Sequence, residues 1–222
     1  MKFKISICKD YDPTKTKAYN NNKVARGWEV VEYAWKTETL QRLTTTQGVS
    51  GNEFLQGHKT KKNWTATHAI MLDFDNGKMT EEDLTRLQKD WNFNSYLFSS
   101  QNHRRDKIST TGKKSVEAAC DRLRALIPLA SPIETPEDHA LFEKFLLSVI
   151  NRDFEYVDKT FMHMHRYFAH GTDEFTSFTG SKKMLDWKKF PGFTEFVKSE
   201  EKKRLKEDTK AETRGRPKKS SL

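Results

Sequence analysis

Residues 69–77 read Ala-Ile-Met-Leu-Asp-Phe-Asp-Asn-Gly, an apolar run closed by two carboxylates one residue apart. A strand alternates its side chains with period two, so Asp73 and Asp75 share one face while Ile70, Leu72 and Phe74 share the other and can fill a core. Asn76-Gly77 breaks the strand and sets both acids at its exposed end. Neighbouring carboxylates repel, and a divalent cation is the simplest way to keep both ionised. The pattern therefore points to metal-assisted chemistry on phosphate. The competing reading is ordinary turn-forming acids at a strand end.

The rest of the chain alternates short strands and helices around this segment. Strands are expected at Phe3 to Cys8, Ser95 to Ser100, Asp121 to Ala130 and Phe161 to His170. Asp10 to Arg26 reads as a polar loop, and Trp28 to about Leu43 as a helix on the spacing of Val31, Ala34, Trp35 and Leu40. Thr80-Glu81-Glu82-Asp83 opens a helix, with Thr80 as N-cap and acids in the first turn. Thr135-Pro136-Glu137-Asp138 opens another, with Phe142, Phe145, Leu146, Val149 and Ile150 as its core stripe. This alternation predicts an α/β (α+β) fold: a mixed sheet with helices packed on one face and the acids on the open face.

The chain has 222 residues and a net charge of +9. Such an excess suggests a polyanionic partner, nucleic acid before membrane. Much of it lies in residues 198–222, a stretch expected to be helical at its start and disordered at its end. The two cysteines, Cys8 and Cys120, form no CxxC pair, which fits a reducing cytoplasm and offers no cysteine-based zinc knuckle. No apolar run approaches the ~18 residues that cross a bilayer, and no signal peptide is visible, so a cytoplasmic protein is expected.

Further chemistry-bearing residues fall in a fixed order after the acidic strand: His103 beyond Phe98-Ser99-Ser100, the pair Arg122 and Arg124 on one strand, and Asp158 after Val157. Together these motifs resemble the catalytic domain of the archaeo-eukaryotic primase (AEP) superfamily, especially the small primase-polymerases of phages and plasmids. That family's first motif is an apolar strand ending in Asp-x-Asp, its second a strand leading to a histidine, and its third an apolar residue followed by Asp. Arg122-Leu123-Arg124 through Ile127-Pro128-Leu129 is similar to an Arg-x-Arg strand many members carry, and Gly57 to Asn63 fits a basic stretch before the first motif. The resemblance covers roughly residues 55–187. It departs at Gln101, where a small residue is usual, and lacks the zinc-binding insertion of some relatives.

The resemblance implies a sheet related to the RNA-recognition type in a catalytic domain of residues 1–190, followed by a charged tail, residues 191–222. It implies template-directed nucleotidyl transfer from nucleoside triphosphates on single-stranded DNA, with Mg²⁺ or Mn²⁺ held by Asp73, Asp75 and Asp158. His103, Arg122, Arg124 and Arg166 would then bind the nucleotide. Arg166 sits where the family often has an arginine after the third acid; a structural ion pair is an equal expectation. A replicative helicase is a partner such domains often have.

Three other readings compete. One is a non-catalytic DNA-binding replication or regulatory protein. The second is a rolling-circle-type endonuclease, suggested by His163-Met164-His165; no tyrosine follows Tyr167 to act as nucleophile. The third, a haloacid-dehalogenase-like phosphatase, usually has Thr or Val where Gly77 stands. The tail segment Arg214-Gly215-Arg216-Pro217-Lys218-Lys219 resembles an AT-hook, which implies binding to A/T-rich duplex by Arg214, Arg216, Lys218 and Lys219 through a narrow minor groove.

Overall fold

The computed structural model describes residues 1–15, 17–108, 116–151, 156–160 and 162–215. They fall into two compact units, Met1–Trp187 and Lys188–Leu222. The first unit is a mixed α/β fold whose strand ladders are antiparallel among the described residues.

β1 (Lys2–Cys8) pairs along its whole length with β2 (Trp28–Ala34), and β3 (Val49–Ser50) pairs on its other edge. The chain from Trp28 is thus a strand and not the start of a helix. Val30, Val31 and Tyr33 favour a pleated surface, and the helix α2 begins only at Thr37 and runs to Thr46. The expected loop of residues 10–26 holds a short helix, α1 (Lys17–Lys23).

The larger sheet has the order β10-β6-β9-β5-β4. Its members are β4 (Asn52–Phe54), β5 (Trp64–Phe74), β6 (Ser95–Ser100), β9 (Leu123–Ile133) and the edge strand β10 (Gly171–Thr179). A small ladder of β7 (Lys107–Ile108) and β8 (Val116–Glu117) stands apart. Ala69 and Met71 of β5, Tyr96 and Phe98 of β6 and Leu126 of β9 pack with Phe3, Ile5, Leu40, Leu43 and Val49 in one core. The three-stranded sheet and α2 therefore cover the face from which Asp73 projects, up to the level of Met71.

On the opposite face, Ile70, Leu72 and Phe74 are buried as the alternation requires. Gln88 of α3 (Glu81–Asp90) bonds the carbonyl and hydroxyl of Ser95 there. Thr80 caps α3, and Thr135 caps α4 (Pro136–Ile150), each accepting from the backbone N–H three residues on. Phe142, Phe145 and Leu146 of α4 are buried, but Val149 is 38% exposed and lies off the core stripe.

Residues 156–160 and 162–170 are irregular where a strand is expected over Phe161 to His170; Phe161 itself lies outside the described residues. They are tied down by a bridge from Phe168 to Val49, by Ser50 Oγ donating to the Arg166 carbonyl (2.7 Å), and by Asp158 N–H donating to the Asp73 carbonyl (2.9 Å). The second unit contains α5 (Phe193–Gly215), so the charged tail is helical well beyond Lys198. No helix of the described residues is long and apolar enough to cross a membrane.

Candidate active site

β5 delivers both acids to the end of the large sheet. Asn76 and Gly77 then turn the chain, with Gly77 at φ +71°, where an added Cβ would lie 2.7 Å from that of Cys120. Asp73 is directly opposite Arg124 in the β5–β9 register, and the two share a face. Arg124 Nε donates to Asp73 Oδ1 at 3.3 Å, and its Nη1 donates to the Ala169 carbonyl at 2.7 Å. The irregular segment brings Arg166 to the other carboxylate oxygen: Nη2 donates to Asp73 Oδ2 at 3.0 Å and to Asp158 Oδ2 at 3.1 Å. Both guanidinium groups lie over the Phe168 ring.

Asp73 is 5% exposed, so its charge is held by these arginines and not by water. Burial alone would raise the Asp158 carboxyl. The Thr160 backbone and hydroxyl hydrogen bonds, with the Arg166 charge, outweigh burial and hold it below the usual range. Asp75 is more open and pairs with Lys107 Nζ, with Arg122 Nε 3.2 Å from its other oxygen.

An open cleft of about 370 Å³ is lined by Asp73, Asp75, Lys107, Arg124 and Arg166, with Lys59, His163, His165 and Tyr167 also on its walls. Asp158 meets this cleft through Arg166 and Thr160. The structure thus brings together Asp73, Asp75, Asp158, Arg124 and Arg166. Sequence reasoning missed Lys59 and Lys107. Lys59 lies in the basic stretch before β5, a weak signal; nothing in the sequence singles out Lys107 from its basic neighbours.

His103 and Arg122 do not face this cleft in the expected way. Each is 1% exposed. His103 Nδ1 accepts from Arg122 N–H (3.1 Å), so Nε2 carries the ring proton and donates to Glu81 Oε1 (2.9 Å). With both nitrogens engaged and its side chain sealed, His103 has no atom free for a phosphate here. Arg122 donates from Nη1 to the Asn102 and Arg105 carbonyls and from Nη2 to the Ala118 carbonyl. It fastens the 101–106 turn to the sheet and backs Asp75, in place of the nucleotide contact expected of it.

Among the described residues, the trio of potential metal donors lying within 4.8 Å of one another is Glu81, His103 and Asp121. Arg104 already pairs with both carboxylates of that trio, with Nη2 3.2 Å from Glu81 and Nε 2.9 Å from Asp121. The protonated Nε2 of His103 is also unable to ligate. Asp73, Asp75 and Asp158 offer the hard oxygen donors that Mg²⁺ or Mn²⁺ prefers, but Arg166 stands between Asp73 and Asp158.

His163 and His165 lie on the irregular segment, not on a strand, with ring centroids 5.8 Å apart. In the tail, Arg214 and Gly215 end α5, while Arg216, Pro217, Lys218 and Lys219 lie outside the described residues.

No family model matches the chain, and no curated protein matches it. Among solved structures it is similar to the AEP domain of the primase-polymerase (PrimPol) of cyanophage S-2L. The two are 13% identical, the match covers 84% of this chain and 85% of that one, and the TM-score is 0.40.

Proposed function

We propose that this chain is a primase-polymerase catalytic domain that transfers nucleotides from nucleoside triphosphates onto a 3′ end, directed by single-stranded DNA. The observation that carries this reading is the joining of Asp73, Asp75, Arg124, Arg166 and Lys107 at one cleft from separate parts of the chain, in the motif order the sequence resemblance implies. In the reaction, a 3′-hydroxyl attacks the α-phosphate, the new P–O bond forms, and pyrophosphate leaves. Asp73, Asp75 and Asp158 would hold Mg²⁺ or Mn²⁺, which supplies charge stabilisation to the attacking and leaving oxygens when bound.

The chain's own part is positioning. Arg124 is anchored by the Ala169 carbonyl and fixes the buried Asp73. Arg166 is the more exposed of the two arginines, with a third of its side chain open, and its planar fork suits phosphate oxygens as well as carboxylates. An incoming triphosphate that drew Arg166 away would leave Asp73 and Asp158 able to hold the ion.

A second reading has its own observation: each of the three acids already has a cationic partner, so the network is balanced without metal. That is what a non-catalytic DNA-binding relative would show. Nucleotide incorporation on primed and unprimed single-stranded DNA with Mg²⁺ or Mn²⁺ separates the two. Products made by the wild type and lost in Asp73→Ala/Asp75→Ala are expected. An inert wild type that still binds DNA would establish the second reading instead.

A further inference from the structure

The cleft that holds the acids is also lined by Lys59, His163 and His165. Lys59 Nζ donates to the His165 carbonyl at 3.3 Å and lies 4.9 Å from the centre of the Tyr167 ring. Its partners are thus a carbonyl and a ring face; among the described residues no carboxylate pairs with it. Lys107, Arg124 and Arg166 in the same cleft each have one. A lysine whose stem is partly buried while its ammonium stays accessible is placed to meet an anion entering the cleft. Beside it, His163 and His165 are exposed and line the same cleft. Desolvation pushes Lys59 below its usual value, and Arg166 adds to this. Partial desolvation, then His163, Lys59, Arg166 and Lys61, do the same to His165, as expected of a wall with an uncompensated positive field.

We propose that Lys59, His163 and His165 form a polyphosphate subsite that holds the β- and γ-phosphates of the incoming nucleoside triphosphate, the task for which the buried His103 is unavailable. This rests on the nucleotidyl-transfer reading and names the residues that would take the substrate's leaving end. The cleft is at the small end of ligand sites, which run about 300–1,000 Å³. Its lining joins the paired acids Asp73 and Asp75 with Lys59, His163 and His165. A nucleoside triphosphate bound there would set its terminal, most negative phosphates against Lys59 and the histidines and its α-phosphate toward the acids. The Tyr167 ring and the His165 carbonyl already hold the Lys59 ammonium, so less side-chain freedom is lost on binding.

The test is calorimetric titration of inorganic tripolyphosphate and of ATP, with and without Mg²⁺, into wild type, Lys59→Ala, Lys59→Arg and His163→Ala/His165→Ala, with an oligo(dT) titration beside each. Tripolyphosphate and ATP affinity should fall about tenfold in Lys59→Ala and in the double histidine variant, the scale of one charge-assisted hydrogen bond. Lys59→Arg should restore most of it, and oligo(dT) affinity should not change.

Unchanged tripolyphosphate binding in both alanine variants, or none in the wild type, overturns the subsite. Loss of oligo(dT) binding with tripolyphosphate binding intact also overturns it and assigns the wall to the nucleic-acid strand. The polymerase reading fails separately: tripolyphosphate binding that depends on these residues, without any nucleotide incorporation, keeps the subsite and removes the polymerase. Incorporation with an unaltered nucleotide KM in the histidine variant does the reverse.

Discussion

Arg166→Ala tests the network at its most connected point. Nη2 of Arg166 bridges Asp73 and Asp158 at 3.0 and 3.1 Å. Removing one partner of a fully buried ion pair costs about 3–5 kcal/mol, because a buried charge is left alone. Two features reduce that figure here. Asp73 keeps Arg124 at 3.3 Å, and the Arg166 and Asp158 side chains are 32% and 34% exposed, so water can take over part of their charge. Loss of the contact with Phe168 adds about 0.5–1 kcal/mol. The expected cost is about 2 kcal/mol, which for a chain of this size lowers Tm by about 4–8 °C.

Urea and thermal unfolding, each with and without Mn²⁺, provide the assay. With the guanidinium gone, the two carboxylates face each other with no cation between them. Mn²⁺ should therefore raise the variant's Tm more than that of the wild type, by mass action on the folded state. A variant as stable as the wild type, with no added response to Mn²⁺, would refute the reasoning: Arg166 would then neither neutralise Asp73 nor occupy an ion's place.

Three further outcomes follow from other parts of the fold. At Gly51 an added Cβ would lie 1.9 Å from the Ala69 carbonyl oxygen, a backbone atom of β5, so Gly51→Ala should cost more than about 3 kcal/mol and appear as a collapsed urea midpoint. His139 is buried with its Nε2 unpaired, and burial, then His163, pushes it down to about 4. The unfolded chain takes up a proton near pH 6.5 that the folded chain refuses, so stability falls as pH drops from there toward 4, by at most about 3 kcal/mol. His139→Phe should flatten the difference between urea midpoints at about pH 7 and pH 5. Cys8 is fully buried and burial raises its thiol, whereas Cys120 is half-buried. A thiol reagent should label Cys120 in the native protein and Cys8 only on unfolding.

The parts of this fold legible in the sequence are those where a periodic pattern meets a cap. β5, α3 and α4 fall where alternation, Thr80 and Thr135 place them. The misread stretches share a cause: their structure is set by partners far along the chain. β2 exists because β1 pairs with it along its full length, which no local spacing of Val31, Ala34 and Trp35 reveals. β10 is an edge strand of Thr, Ser and Phe with little apolar contrast between its faces. In the cleft, the acids announce themselves by spacing, while Lys59 and Lys107 are two lysines among many until tertiary structure brings them together. His103 shows the reverse error. Its position after β6 is as the motif order requires, but Glu81 and the Arg122 backbone claim both ring nitrogens.

The paired state of the acids and their capacity for metal are compatible on charge grounds. Asp73 is buried, so something positive must stand against it. Arg124 alone cannot satisfy both oxygens: its fork is divided between Asp73 and the Ala169 carbonyl. Arg166 supplies the second contact, and of the two it has the more exposed side chain, 32% against 12%. Were a divalent ion held by the acids in place of Arg166, it would add a positive charge there, and the guanidinium, still tethered to the cleft lining, would be free to meet an anion. Both changes raise the positive potential where a triphosphate, bearing several negative charges, would arrive. Ion and nucleotide binding should therefore be mutually reinforcing. ATP affinity should rise with Mn²⁺ in the wild type by more than in Arg166→Ala, where no guanidinium is released. Equal enhancement in the two proteins would mean that Arg166 takes no part in the exchange.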